Sequence, residues 1–294
     1  MLTPTPDLLA SIDWEQAFGG TTGHGVKVGI IDSGIDNDHE AVDGVVKGWA
    51  EPVVDAVGEG TYGLDPHGDL FGHGTACAGV IHSIAPDADL YSIKVLGKRL
   101  NGKGAAFAAG LRWAIDNEMD VVNLSLGATK QDFFGIFHEL ADEAYFKGIT
   151  LVTAANNMPV MSFPSLYAAV LSVACYEGEP SENPLQFYSN PSPPVEFGAE
   201  GIDVRVGWLD GGYITATGNS FAAPRMAGIV ALLATAEFTH GWLLPTVPIS
   251  RAFALVPNVA IPPIMVIGAH GEREFIIFGL VIGASYSLFL DSPL

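Results

Sequence analysis

Thr217-Gly218-Asn219-Ser220-Phe221-Ala222-Ala223-Pro224-Arg225-Met226-Ala227-Gly228 sets one serine among small residues and runs straight into Ile229-Val230-Ala231-Leu232-Leu233. The apolar run is long enough for a helix, and Gly218, Asn219 and Ser220 are residue types that start one. Proline is tolerated near a first turn but breaks an established helix, so Pro224 places the start close to Ser220. Ser220 then sits where unpaired backbone N–H groups and the positive end of the helix dipole emerge. That setting suits a serine that carries an oxyanion through a reaction. A serine that merely caps a helix would look the same, and the rest of the chain has to decide.

The 294 residues are 49% hydrophobic and only 16% charged, enough to bury a large core, and 35 are glycine. A net charge of −20 disfavours nucleic acid and anionic membrane surfaces as partners. Two cysteines, Cys77 and Cys175, are too few for a disulfide framework. The first residues carry neither a basic nor an apolar leader segment, so a cytoplasmic location is expected.

Gly25 to Asp32 reads as a β-branched strand that ends in a carboxylate and a Ser33-Gly34 turn. In open parallel sheets functional groups gather at the carboxyl ends of strands, which is where Asp32 falls. Residues 35 to 71 read as a glycine-rich loop with acidic residues and histidines, delivering a small-residue helix that opens at His73. Strands are expected at 90–96, 121–127, 148–155 and 168–174, and helices at 105–117 and 133–147. The alternation predicts an α/β fold, a mainly parallel sheet with helices on both faces. Composition changes after about Thr239, which divides the chain into a domain at 1–238 and an apolar, Pro/Gly-containing tail at 239–294. Phe275 to Leu290 carries no charge but is shorter than the roughly 20 residues of a membrane span. A core strand pair or buried helix is favoured there over membrane contact.

Three motifs stand in the order Asp32, His73, Ser220, which is the order of subtilisin and differs from those of chymotrypsin and the α/β-hydrolases. Val28-Gly29-Ile30-Ile31-Asp32-Ser33-Gly34, Gly72-His73-Gly74-Thr75 and Gly218-Asn219-Ser220-Phe221-Ala222-Ala223-Pro224 resemble the aspartate, histidine and serine motifs of the subtilisin-like serine proteases. Val122-Asn123-Leu124-Ser125-Leu126-Gly127 resembles the family's substrate-lining strand, and Ala154-Ala155-Asn156-Asn157 the strand end that supplies an oxyanion-hole asparagine. The resemblance runs from about Trp14 to Leu233 and implies the subtilisin-like three-layer fold and serine endopeptidase activity without a cofactor. It implies Ser220 as nucleophile, His73 as general base and Asp32 as its orienting carboxylate. The Ser220 N–H and the Asn157 amide would serve the oxyanion, with Asn156 standing at the family's glycine. A register shift would exchange the two asparagines. A peptide or protein substrate would pair as an added strand with the backbone of Ser125, Leu126 and Gly127 and with the loop near Gly102.

Departures from the family pattern are Asn219 for threonine, Phe221 for methionine, Arg225 for histidine and Ala76 for a second histidine. Val80 to Pro86 is too short for the calcium loop that many relatives carry. Asp36, Asp38, His39 and Glu40 could be read as a metal cluster, but no metal site is assigned, because the family places a histidine at that position. A catalytically weak peptide-binding relative and a membrane-tethered processing protease are the alternatives.

Overall fold

The apolar run from Lys27 to Asp32 becomes an inner strand of an eight-stranded sheet. The computed structural model describes residues 20–54, 60–158, 160–176, 195 and 197–240. Its strands are β1 (Lys27–Asp32), β2 (Val46–Val54), β3 (Gly60–Gly63), β4 (Asp89–Lys94), β5 (Val121–Leu124), β6 (Thr150–Ala154), β7 (Leu171–Tyr176), β8 (Phe197–Glu200), β9 (Val204–Gly207) and β10 (Tyr213–Ala216). Its α-helices are α1 (His73–Ile84), α2 (Gly104–Asp116), α3 (Phe134–Phe146) and α4 (Asn219–His240). The sheet order is β3-β2-β4-β1-β5-β6-β7-β8, and β9 and β10 form a separate pair. Within the large sheet every pairing is parallel except β2 with β3.

Strand residues alternate between two cores, as the twofold period of a strand requires. Val28 and Ile30 of β1, Val121 of β5 and Val152 of β6 pack with Cys77 and Ile81 of α1 and with Met226 and Val230 of α4. Ile31, Val122 and Leu151, one residue out of step, pack on the other face with Phe107 and Leu111 of α2 and Phe137 and Leu140 of α3. The result is the expected three-layer α/β architecture, with two helices on each face.

Residues 35–71 are not all loop: β2 and β3 lie within them. Gly48, Pro52 and a register irregularity between Val46 and Gly48 spoil any period in β2, yet pairing with β4 holds it in the sheet. β8, β9 and β10 are four residues each, too short to show a pattern. β7 begins at Leu171 rather than Ala168. The last helix continues to His240, past the domain boundary expected at residue 238. The remainder of the expected tail, Phe275 to Leu290 included, lies outside the described residues. No helix among the described residues is long and apolar enough to cross a membrane.

The topology brings four carboxyl ends together. β1 lies between β4 and β5, with β6 beyond β5. Asp32, the 97–102 loop, the 125–127 segment and Asn156–Asn157 therefore open onto one edge of the sheet.

Candidate active site

Asp32 ends β1 with its side chain fully buried, and His73 begins α1 almost as deeply. His73 Nδ1 lies 2.9 Å from Asp32 Oδ1 and 2.8 Å from Oδ2, so the ring donates from Nδ1 and turns Nε2 outward. The Ser33 N–H donates to Asp32 Oδ1 at 2.8 Å. Burial alone would pull the His73 pKa down. The Asp32 charge and the hydrogen bond to Asp32 outweigh it and hold the imidazole well above its usual 6.5. A charged imidazole is tolerated inside the protein because its counter-charge is already in place.

Close approach of β1 and α1 depends on glycine. A Cβ on Gly74 would fall on the Gly34 carbonyl oxygen, and Gly34 itself has a φ of +105°. Small side chains at these two points let the carboxylate and the ring meet.

Ser220 is the second residue of α4 and is half-buried. Its carbonyl would ordinarily accept from the N–H four residues on, but that residue is Pro224, which has none. Other donors fill the gap: Ser125 Oγ donates to the Ser220 carbonyl at 2.9 Å and Cys77 Sγ at 3.6 Å. Asn123 Nδ2 in turn donates to Ser125 Oγ at 3.0 Å. Ser125 thus holds the serine turn through its side chain, a role the sequence reading did not assign. Cys77 Sγ also lies 3.8 Å from Asp32 Oδ2 and 4.0 Å from His73 Nδ1. One sulfur touches all three residues that the motifs singled out, and the Phe221 ring stands 5.4 Å from the His73 ring. Burial raises the Cys77 pKa, so the thiol stays protonated at neutral pH.

The two asparagine side chains have different partners. The Asn219 N–H donates to Asn157 Oδ1 at 2.9 Å, which makes Nδ2 the free-facing donor end of that amide. Asn157 Nδ2 and Ser220 Oγ each lie 3.4 Å from where a Cβ on Gly218 would stand, so amide and hydroxyl share one small space. The Asn156 side chain instead accepts from the Met158 N–H at 2.9 Å. Asn156 has no positive φ, so the backbone freedom expected at the family's glycine is not used here.

Asn219 is a further structural residue that the sequence did not disclose. Its Oδ1 accepts from the Cys175 N–H at 2.9 Å and its Nδ2 donates to the Ala155 carbonyl at 3.0 Å. That fully buried amide ties the serine turn to β6 and β7.

Gly127 is exposed and Leu126 partly so, which leaves their backbone open to a partner strand. Beyond them Ala128 and Phe163 exchange two backbone hydrogen bonds of 2.9 and 2.8 Å that fix the segment's far end. Across the opening, a Cβ on Gly102 would strike the Val95 carbonyl oxygen, so the strap after β4 needs glycine there. Of Asp36, Asp38, His39 and Glu40, the histidine has both ring nitrogens engaged. His39 Nδ1 accepts from the Ala41 N–H at 3.0 Å and Nε2 donates to the Gly212 carbonyl at 2.9 Å, leaving neither nitrogen for an ion. Donor atoms of Asp32, His73 and Cys77 lie within 4.8 Å of one another, but the first two are committed to each other.

Fold and site define a class: an α/β protein with a buried carboxylate–imidazole pair beside a serine at a helix N-terminus. The subtilase family profile matches residues 23–244. The minor extracellular protease Epr of Bacillus subtilis (strain 168) is 34% identical over 239 residues, covering 76% of this chain and 34% of that protein. Subtilisin E of the same strain is 31% identical over 229 residues, covering 73% of this chain and 56% of that protein. Among solved structures, a cold-adapted subtilisin-like serine proteinase superposes with a TM-score of 0.68 at 24% identity, covering 89% of this chain and 91% of that one. The chain belongs to the subtilase family. It spans between 34% and 61% of the length of the curated relatives Epr, a thermostable alkaline protease and subtilisin E.

Proposed function

We propose that this chain is a serine endopeptidase that cleaves peptide or protein substrates through an acyl-enzyme intermediate. The observation that carries the reading is the buried Asp32–His73 pair, whose 2.8 Å contact fixes the ring in the tautomer a general base needs. His73 Nε2 takes the Ser220 hydroxyl proton as the oxygen attacks the scissile carbonyl. Asp32 stabilises the imidazolium that forms, and His73 then returns the proton to the leaving amine. The Ser220 N–H, in the unpaired first turn of α4, and the Asn157 amide face the developing oxyanion. The substrate lies extended between the backbone of Ser125, Leu126 and Gly127 and the strap at Gly102.

The test is covalent labelling with a fluorophosphonate, run alongside hydrolysis of a peptide anilide. Labelling at Ser220 that is lost in Ser220→Ala, together with turnover, is the expected result. Asn157→Ala should lower kcat by about 10²–10³, the loss known for a side-chain oxyanion donor of subtilisin, while Asn156→Ala should leave it nearly unchanged. A folded wild-type chain that neither labels nor hydrolyses would favour the peptide-binding alternative.

A further inference from the structure

We propose that Asp69 is a positioning residue that sets the separation of Asp32 and His73 through Ser33 and the start of α1. This deepens the peptidase reading above and rests on it for its kinetic consequence. Residues 32 and 73 are brought together from a strand end and a helix start that the chain joins only through the long segment carrying β2 and β3. Their contact has to be held by something that crosses the gap.

The Asp69 carboxylate does so with five accepted hydrogen bonds. Oδ1 accepts from Ser33 Oγ at 2.8 Å, the Phe71 N–H at 2.9 Å and the Gly72 N–H at 2.8 Å. Oδ2 accepts from the Thr75 N–H at 2.8 Å and from Thr75 Oγ1 at 2.7 Å. The first donor follows the catalytic carboxylate in sequence, and the others flank the catalytic histidine. Two further links close the frame: the Gly74 N–H donates to Ser33 Oγ at 3.1 Å, and the Leu70 N–H to the Ser33 carbonyl at 3.1 Å. Gly72, at the N-cap of α1, has no side chain to cap the helix, so Asp69 takes that office from outside. Its charge is favoured by the positive end of the helix dipole.

The residue type is decided by chemistry. An ionised carboxylate accepts at every lone pair and has no proton to oppose a donor, and such charge-assisted bonds are short and strong. An asparagine would turn an NH₂ toward two or three donors and lose those bonds. Asp69 touches neither Asp32 nor His73 directly. Its effect passes through Ser33 on one side and through the backbone of 72–75 on the other.

The test uses the full chain with Asp69→Asn, Ser33→Ala and the double variant. Active sites are counted by fluorophosphonate titration, so that misfolded molecules drop out of kcat. The expected result is a kcat per titrated site lower by about tenfold or more in Asp69→Asn, since small displacements of reacting groups are costly, with KM changed less than about twofold. Because Ser33 Oγ is shared between Asp69 and Gly74, the two losses should fail to multiply in the double variant. A second readout does not need turnover: the low-field proton NMR signal of His73 Nδ1–H reports the Asp32 contact and should shift or broaden in Asp69→Asn. An unchanged signal with unchanged kcat per site, or losses that multiply freely, would overturn the proposal. If Asp69→Asn does not fold, Ser33→Ala alone carries the test, and an unaltered signal and kcat there would sink it. A wild-type chain without labelling fails the peptidase reading, whereas an active wild type with indifferent variants fails only this one.

Discussion

In the proposed mechanism His73 can act as a base only while neutral, so the balance of forces on one ring would set the acid limit of activity. Burial opposes its charge, but the Asp32 carboxylate and the hydrogen bond to it prevail and raise its pKa well above 6.5. The imidazolium therefore persists to higher pH than in a free histidine, and kcat/KM should rise with pH through a midpoint above 6.5. Asp32→Asn removes the favourable charge while the burial remains, which should carry that midpoint downward. It should also lower kcat by roughly 10⁴, as the same replacement does in a serine protease of unrelated fold. A pH profile of the wild type with its midpoint below the ordinary histidine value would contradict the charge balance. At this scale the sequence was legible where a residue type has one chemical use: Asp32 and His73, singled out by their motifs, meet at 2.8 Å. It was silent on Asp69, Asn219 and the Ser125 hydroxyl, whose work is to hold other residues. An aspartate shortly before a helix start was the one available signal for Asp69.

Elements explain the placement of the serine. A proline inside a helix costs about 3 kcal/mol in general, and α4 carries Pro224 within its run from Asn219 to His240. The Ser220 carbonyl that the proline leaves unpaired is taken by Ser125 Oγ at 2.9 Å, which couples the helix to the end of β5. Pro224→Ala supplies an N–H that competes for that carbonyl. The expected outcome is a melting temperature equal to or above the wild type, with kcat severalfold lower, a stability–activity trade-off located at one carbonyl. Thermal denaturation measured beside kcat checks it, and lost stability with unchanged kcat would reverse the assignment. The sequence placed α4's start well but read Pro224 only as a marker of that start. The mostly apolar strands β1 and β6 were legible for the same reason that they are buried. β2 was not, because Gly48 lies under the Tyr91 ring, where a Cβ would stand 2.8 Å from Cδ1. Tertiary packing chose that glycine, and local pattern cannot show it.

For the molecule as a whole, the two helices under the site are packed through small residues. A Cβ on Gly228 of α4 would lie 2.9 Å from Ile84 Cβ of α1, and Ala78, Ala222, Ala223 and Ala227 fill the same layer. Close packing of this kind forfeits little dispersion energy to voids, and it needs α1 to run as one piece. It does: α1 is continuous from His73 to Ile84, and the Ala85 N–H bonds back to the Ile81 carbonyl. Residues 80–84 are thus helix rather than a cation-binding loop, in accord with the short Val80–Pro86 spacing. The stability of this domain should then owe nothing to calcium at that place. A ligand present at a hundredfold excess over its dissociation constant adds about 2.7 kcal/mol. For a domain of this size its removal would lower the melting temperature by about 5–10 °C. Melting the full chain in calcium and again after chelation separates the cases. No shift is expected; a drop of that size would mean that calcium is bound elsewhere and that helix packing alone does not account for the stability of the site.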